Sequence, residues 1–334
     1  MKQKVLAVAA MTTLLAACGG GGGEGATSGG STPPTTPPAT VPEAPSSVAP
    51  ATSVPAPTYG STDVRLTTFT DLNTYRVAMG VGALRQDDTL DRAADNHLTY
   101  MKANSVITHT ETTGLQGYTG ATPYDQVVAA GGAKEQYVGQ TASGSLSCLS
   151  SFRNSVYHLM GITSNQENIG LAMRDGFCVM NFNVVTGAKG SGYGLPQWGG
   201  QQMAPSAVAY SPIDGETVFG GFTPAAESPN PAPDLTTAGH PIMFRVPAPN
   251  TSDVLTVTSF TLTGPGGSSI PVRVLVPANA KAGSMAGAVQ DSNLYPGVAF
   301  MLPTAQLAAG TYTATFVGAR NGTVINKSWS FTAF

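Results

Sequence analysis

The sequence predicts an α+β fold in which a mixed domain of helices and strands is followed by an all-β sandwich. Apolar residues recur at helical spacing between about residues 68 and 160, and the spacing then changes to alternation over residues 168–185. From about residue 239 onward, six short alternating apolar runs are separated by Gly, Pro and Asn turns, which is typical of an immunoglobulin-like sandwich. A chain of 334 residues is long enough for both domains and a tail.

Residues 1–18 have the pattern of an export signal. Lys2 and Lys4 precede an apolar run over residues 5–17, which is shorter than the roughly 20 residues that span a bilayer. The run ends in Leu-Ala-Ala-Cys at Cys18 and resembles a bacterial lipobox, in which the leader is removed and the thiol is lipidated. An ordinary secretory signal is the alternative. Because each buried CH₂ contributes about 0.8 kcal/mol, several acyl chains would hold a folded domain at a membrane.

Residues 19–61 are predicted to be a disordered tether between the lipid and the first domain. They are rich in Gly, Pro, Ser and Thr, and they contain too few large apolar side chains to offset the entropy of ordering them. Gly19 follows the lipidated cysteine. By resemblance to the sorting rules of Gram-negative lipoproteins, the absence of Asp there predicts the cell envelope at the outer membrane, on its periplasmic face or at the cell surface.

Charge and cysteine content exclude some classes of function. Charged residues are only 10% of the chain, the formal net charge is -3, and Lys and Arg are scattered, so no nucleic-acid partner is expected. With Cys18 lipidated, Cys148 and Cys178 are left as an even pair in an exported chain, which predicts one disulfide; two buried free thiols are the alternative. Neither a Cys-x-x-Cys motif nor a Cys/His spacing typical of structural zinc is present.

The first domain is predicted at residues 62–186 and begins with four helices. Asp88 or Thr89 can cap the second helix, and Pro123 opens the third. His97 lies on the apolar face of the second helix, so we expect a packed histidine there rather than a site residue. The predicted helix bounds are 68–79, 90–101, 123–130 and 145–160.

Two strands then form a predicted hairpin around Asp175-Gly176. Cys178 shares one face of the second strand with Met180 and Phe182, so a bridge to Cys148 would join a helix to the sheet. Residues 187–236 are predicted to be an irregular bridge with partial strands. The Gly cluster in this bridge lacks the strand-before, helix-after context of a dinucleotide-binding loop. Residues 237–334 form the predicted sandwich.

Several separated motifs between Phe69 and Phe182 keep the order of a known family. They are Asn73–Arg76 with Gly80 and Leu84, the helix Leu90–Met101, His109, the segment Tyr124–Gly132, Ser155 with His158, Ile169–Leu171, and Met180–Phe182. Together they resemble a bacterial member of the CAP superfamily (cysteine-rich secretory proteins, antigen 5, pathogenesis-related 1) over about a third of the chain. The resemblance implies a three-layer α-β-α sandwich, followed by an Ig-like module of the kind that accompanies exported bacterial CAP domains.

That family's cleft commonly carries two histidines and two acidic residues, and it sometimes binds a divalent metal. The resemblance assigns His109 and His158 to the cleft as candidate zinc ligands, with Glu111 as one acidic member. At the other acidic position stands Gln140, which is neutral and can neither act as a base nor compensate a metal's charge. Glu135 is a nearby carboxylate on the Gly-rich side of the loop. If both histidines are neutral ligands, binding should fall as the pH drops through about 6.5.

Three functions are consistent with the sequence. The missing carboxylate favours a protein that is not an enzyme and whose cleft holds a metal, lipid, peptide or cell-wall fragment. The second is a hydrolase of peptide or cell-wall bonds, with His109 or His158 as base and Ser155 or a metal-bound water as nucleophile. Ser155 and His158 are three residues apart on one predicted helix, and no third group that would orient the base is evident. The third is a purely structural envelope protein with a vestigial cleft.

Overall fold

A computed structural model describes residues 50–185, 202–249 and 252–334. The predicted leader, the lipidation site at Cys18 and most of the tether lie outside the described residues, as does the Gly cluster of the predicted bridge. We call residues 50–185 the first domain and residues 202–334 the β-domain. Within the described ranges, no helix has the length and hydrophobicity needed to cross a membrane.

The first domain is a three-layer α-β-α sandwich, as predicted. Its elements are helices α1 (Val64–Ala78), α2 (Asp88–Asn104), α3 (Pro123–Ala129), α4 (Cys148–Arg153) and α5 (Tyr157–Ile162), and strands β1 (Arg85–Gln86), β2 (Gln136–Ser143), β3 (Asn168–Arg174) and β4 (Phe177–Val185). The strand order is β1-β3-β4-β2. Strand β1 is parallel to β3, and the predicted hairpin β3–β4 and the β2–β4 pair are antiparallel.

Alternate residues of β3 contact opposite helical layers. Leu171 and Met173 pack with α1 and α4, whereas Ala172 packs with α2. Gly170 precedes these residues and lies on the same face of β3 as Ala172. It permits α2 to approach closely, because a Cβ at this position would lie 2.1 Å from the carbonyl carbon of Leu90. The central sheet is therefore covered by α1 and α4 on one face and by α2 on the other.

The cap of α2 is Asp87, and not Asp88 or Thr89 as the sequence suggested. The Asp87 carboxylate accepts hydrogen bonds from the backbone N–H groups of Thr89 (2.7 Å) and Leu90 (3.1 Å). Asp87 also has the extended backbone that a cap requires. Two consecutive aspartates can each cap a helix, so the sequence pattern alone does not choose between them.

The predicted single helix over residues 145–160 is two helices, α4 and α5, separated by Asn154–Val156. A new helix start leaves backbone N–H groups without intrahelical acceptors. Here Glu227 of the β-domain accepts from Val156 N–H (2.8 Å) and Tyr157 N–H (2.9 Å). The acceptor is about 70 residues away along the chain, so no local sequence signal marks the break.

Cys148 and Cys178 form a disulfide, as predicted. It joins the first residue of α4 to β4, so it fastens a helix to the sheet. Closing a loop with a sequence separation of 30 residues stabilises a fold by roughly 3–4 kcal/mol on the chain-entropy model.

The β-domain is a sandwich of two five-stranded sheets. Its strands are β5 (Ala209–Ser211), β6 (Thr217–Val218), β7 (Gly221–Phe222), β8 (Ala238–Gly239), β9 (Ile242–Arg245), β10 (Leu255–Thr263), β11 (Ser269–Ile270), β12 (Val272–Val276), β13 (Val289–Gln290), β14 (Val298–Pro303), β15 (Gly310–Arg320) and β16 (Thr323–Ala333). The sheet orders are β11-β10-β15-β16-β6 and β13-β12-β14-β9-β5, with β7 and β8 pairing separately. The six predicted runs form β9, β10, β12, β14, β15 and β16; the immunoglobulin-like topology stays a prediction.

A hydrophobic cluster continues from the first domain into the β-domain. The first domain contributes Tyr75, Met79, Val81, Val156, Leu159 and Met160, and the β-domain contributes residues that include Met203, Ala209, Phe222, Met243 and Phe300. Three of these residues lie in or next to α5, the helix that carries His158. The position of that helix therefore depends on the β-domain.

The last part of the predicted tether lies against the first domain. Ala51 accepts a hydrogen bond from the N–H of Ala83 (2.8 Å), and the Tyr59 hydroxyl donates to Asp91 (2.7 Å). Tyr59 is buried with α1 and the sheet. The folded region therefore begins about a dozen residues before the predicted boundary at residue 62.

Candidate functional site

His109 lies in the loop between α2 and α3, and its Nδ1 is 3.0 Å from Oε1 of Gln140 on β2. The amide of Gln140 is itself oriented, because its Nε2 donates to Gln126 Oε1 (3.0 Å) and Asn181 Oδ1 (3.0 Å). This network assigns the His109 proton to Nδ1. Nε2 of His109 then carries a lone pair, and no hydrogen bond engages it among the described residues.

The surroundings of His109 favour its neutral form. Burial lowers the pKa of the ring, the hydrogen bond to Gln140 acts in the opposite direction, and the charges of His158 and His97 lower the pKa further. Resemblance groups His109 with His158 in one cleft, and this grouping stays a prediction.

His158 is the second residue of α5, and its partner comes from the β-domain. Its Nδ1 is 3.1 Å from Oε1 of the buried Glu227. The imidazole stacks on Phe152, with ring centroids 4.7 Å apart and planes 14° from parallel. As at His109, the described residues place no hydrogen-bond partner on Nε2. We call His109, Gln140, His158 and Glu227 the cleft residues.

Among the described residues, no hydrogen bond or ion pair joins Glu111 to a cleft residue. Its buried carboxylate is 2.9 Å from Nδ1 of His97 and accepts hydrogen bonds from the backbone N–H groups of Thr119 and Gly120. His97 is fully buried, and its Nε2 is 2.7 Å from the carbonyl oxygen of Thr108. The expectation of a packed His97 agrees with this environment. Glu111 closes the loop that carries His109, because three donors from Thr119 and Gly120 and the His97 ring already engage its oxygens.

Ser155 and Glu135 do not supply the missing chemistry either. The Ser155 hydroxyl accepts from the N–H groups of His158 (3.1 Å) and Leu159 (3.3 Å), so it serves the start of α5. In the part of the chain that the structure describes, no hydrogen bond joins this hydroxyl to an imidazole nitrogen. Glu135 is exposed just before β2. A nucleophilic serine needs a base that takes its proton, and none is hydrogen-bonded to Ser155 among the described residues.

The set of donors also limits what metal the cleft can hold. Across the described ranges, no group of three or more His, Cys, Asp or Glu side chains is arranged to hold a metal ion. Of the cleft residues in the described ranges, His109 and His158 each offer one nitrogen, Nε2, as a donor to a metal. Catalytic zinc sites usually have three protein ligands and structural ones four, so a metal at this cleft would need further ligands from water or from a bound molecule.

Sequence reasoning missed Glu227. It is the only acidic residue between Glu216 and Asp234, and it lies in a segment without helical or strand periodicity. The one available signal was a lone carboxylate in a segment of low charge. That signal does not predict which distant histidine the carboxylate would bond to.

Comparison with protein families matches residues 69–158 to the family model CAP, described as the cysteine-rich secretory protein family. The match covers the segment from α1 to His158, which includes three of the four cleft residues. A search of curated proteins found no match.

Among solved structures, the chain is similar to an extracellular protein containing an SCP domain from Bacillus anthracis str. Ames, with 21% identity, a TM-score of 0.31, and 35% of this chain and 39% of that one covered. It is also similar to an outer surface protein from Borrelia burgdorferi, with 18% identity, a TM-score of 0.30, and 37% and 95% coverage. A third is selenomethionine PcoC, a copper resistance protein from Escherichia coli, with 16% identity, a TM-score of 0.22, and 37% and 95% coverage. The chain thus spans well under half of the Bacillus protein.

Proposed function

We propose that this protein, which carries a CAP domain at residues 69–158, is an exported, lipid-anchored envelope protein that binds a ligand without converting it. The observation that supports this function is the arrangement of His109 and His158. Each Nδ1 faces a side-chain oxygen, at 3.0 Å and 3.1 Å, and each Nε2 is left for a ligand. We take the two rings to line one cleft, as the family resemblance implies, and their two oriented lone pairs then form a binding site.

The groups that an enzyme would add to these rings are engaged elsewhere. The Ser155 hydroxyl accepts backbone N–H groups, and the Glu111 carboxylate is held by His97 and its own loop. The neutral amide of Gln140 cannot act as a general base. The cleft therefore favours binding over hydrolysis, and its two lone pairs suit a Lewis acid such as zinc, or a peptide, lipid or cell-wall fragment that presents an N–H or O–H donor.

A hydrolase is the second candidate, and the His158–Glu227 pair is the observation that favours it. An imidazole whose Nδ1 is held by a carboxylate is the arrangement of a general base in many hydrolases. In such an enzyme, His158 would remove a proton from water. Hydrolysis of casein or purified peptidoglycan that is lost in His158→Gln would establish this candidate and overturn the non-catalytic proposal.

Zinc is the probe that tests the binding site. The experiment is calorimetric titration of ZnCl₂ into the mature chain without its lipid (residues 19–334), beside His109→Ala and His158→Ala. His240→Gln is the control, since His240 is a buried histidine of the β-domain outside the cleft residues. We expect one site that is lost in both cleft variants and kept in the control. Absence of binding in the native protein, or equal binding in all four, would contradict a zinc-binding cleft.

The lipid anchor is proposed from the leader pattern at residues 1–18. Metabolic labelling with a radioactive fatty acid should mark the native protein and leave Cys18→Ser unlabelled. Membrane fractionation should then recover the native protein with outer membranes and release Cys18→Ser to the soluble fraction. Labelling of Cys18→Ser to the native level would contradict the assignment.

A further inference from the structure

The carboxylate that orients His158 belongs to the other domain. Glu227 follows a short 3₁₀ turn at Pro224–Ala226, and its N–H donates to the Pro224 carbonyl at 3.1 Å. Its side chain is buried and accepts the Val156 and Tyr157 N–H groups of the first domain at 2.8 Å and 2.9 Å. One carboxylate thus accepts from the start of α5 and from the imidazole on that helix.

Other contacts hold this part of the β-domain against α4 and α5. Asn154 donates to the Gly221 carbonyl at 2.8 Å, and the Tyr157 hydroxyl donates to Asp291 at 2.7 Å. Arg153 forms an ion pair with Glu216. The β-domain is therefore held beside α4 and α5 at points other than Glu227.

An acceptor at Nδ1 determines how the ring can serve a ligand. Nδ1 of His158 must carry a proton to donate to the Glu227 oxygen at 3.1 Å, so in the neutral ring Nε2 is the unprotonated nitrogen. In metal and general-base sites, such a carboxylate fixes the tautomer and orientation of the ring and increases its basicity. At the other end of the cleft, the neutral Gln140 amide holds His109. The cleft residues thus include one carboxyl group, that of Glu227, and it bonds to His158 rather than to His109.

We infer that Glu227 is the positioning residue of the cleft and that the β-domain is part of the binding site rather than a spacer. Glu227 holds His158 as the Nδ1–H tautomer with Nε2 available. The consequence for a ligand rests on the proposed function. The tautomer does not, because it can be measured without any ligand.

Nitrogen NMR of the protein labelled with ¹⁵N-histidine tests the tautomer directly, since the two ring nitrogens differ in shift when protonated. Spectra of residues 19–334 are recorded from pH 6 to pH 9, so that the neutral ring is included. We expect His158 as the Nδ1–H tautomer in the native protein. In Glu227→Gln we expect a mixture or the other tautomer, because an amide that accepts from His158 would turn its NH₂ group toward the Val156 N–H.

Glu216→Gln is the matched control. Glu216 also lies in the β-domain and pairs with Arg153 of the first domain, but no hydrogen bond or ion pair of the described residues joins it to His158. It should leave the His158 tautomer as in the native protein. Circular dichroism and thermal unfolding confirm that both variants fold. With Zn²⁺ as probe, we expect binding at least tenfold weaker in Glu227→Gln, because removing the carboxylate that supports a metal ligand has about this effect. Binding in Glu216→Gln should stay within about twofold of native.

The outcomes separate the two proposals. A neutral His158 that carries its proton on Nε2 in the native protein would overturn the positioning role. An equal change of the His158 tautomer in Glu227→Gln and Glu216→Gln would also overturn it, because it would indicate an effect of domain docking alone. If the tautomers behave as expected and Zn²⁺ does not bind the native protein, Glu227 positions His158 and the zinc-binding function is wrong.

Discussion

The two histidines of the cleft are held by different kinds of partner. His109 bonds to the neutral amide of Gln140, which is held by Gln126 and Asn181 of the same domain. His158 bonds to Glu227 of the β-domain, about 70 residues away. The first end of the cleft can form within one domain, whereas the second needs both.

This difference shows what a family motif can and cannot convey. A motif carries the partners that lie within the matched segment, and residues 69–158 include both His109 and Gln140. It does not carry a partner from an appended domain. By the motif alone, the cleft lacks a carboxyl group at position 140. Glu227 lies outside the matched residues, so its carboxyl group beside His158 is found only from the structure of both domains.

Removing the β-domain should have the largest effect. Val156, Leu159 and Met160 are buried in the cluster shared with it, and burying one such side chain contributes roughly 1.5–3 kcal/mol. We expect residues 19–185 to lose at least about 4 kcal/mol of unfolding free energy in urea relative to residues 19–334. Hydrogen exchange should show α5 amides unprotected.

The loop of Glu111 is the internal control for that truncation. The amides of Thr119 and Gly120 are bonded to Glu111 inside the first domain, so they should keep protection wherever the fragment remains folded. Equal protection of α5 and this loop in the fragment would show that the His158 end forms without the β-domain.

Much of the fold could be predicted from the sequence because its signals are local. The change from helical spacing to alternation located the β3–β4 hairpin, and the even pair of cysteines in an exported chain predicted the disulfide between Cys148 and Cys178. The break between α4 and α5 could not be predicted, since a residue of the other domain provides its acceptors. Very short strands such as β6 contain too few residues for alternation to be visible.

The candidate site was predictable only in part. His109, Gln140 and His158 came from family motifs, but the role of Glu111 depended on which face of its loop turned inward. The structure shows that the Glu111 carboxylate bonds to His97. A buried histidine and a buried glutamate 14 residues apart are adjacent here because the loop turns back on α2. The sequence contains no spacing rule for such a turn.

Gln140→Glu should have the next largest effect, as it tests the neutral end of the cleft. The Gln140 Nε2 donates to two oxygens, at Gln126 and Asn181, each at 3.0 Å. A carboxylate would face both acceptors without a donor, and leaving such buried groups unpaired costs about 1–3 kcal/mol each. We expect about 3 kcal/mol lower stability in urea at pH 8, and a smaller loss at pH 5, where a protonated carboxyl can donate once.

Gln140→Met is the isosteric control for this change, since it removes the hydrogen bonds without adding charge. Its loss of stability should not depend on pH in the same way. If Gln140→Glu is as stable as the native protein at pH 8, the amide network is not fixed, and a single substitution could restore the family's acidic position.

Acid should weaken the folded state through His240. Burial lowers the pKa of this ring to about 3, the hydrogen bond to the Phe219 carbonyl opposes the shift, and the charge of Arg153 on α4 adds to it. The folded state therefore binds fewer protons than the unfolded chain below pH 6.5. The contribution of His240 to the free energy of unfolding is fully present above pH 6.5 and is lost as the pH falls toward 3. Between pH 7 and pH 5 this loss is about 2 kcal/mol. His240→Gln should flatten urea-unfolding stability over this range; an unchanged slope would exclude His240 as its source.

The smallest expected effect concerns the pH range in which His109 can serve a ligand. Burial lowers the pKa of His109, and the hydrogen bond to Gln140 raises it. Nε2 of His109 should therefore stay unprotonated at pH values below 6.5, so this end of the cleft should bind zinc at lower pH than an ordinary histidine would. Gln140→Leu removes the opposing hydrogen bond and should lower the His109 pKa further, measured by NMR titration of the ring proton signals. Because Glu227 holds His158 independently, its ring signals at pH 8 should not move. A matching change at His158 would mean that the two ends of the cleft act as one unit, despite their different partners.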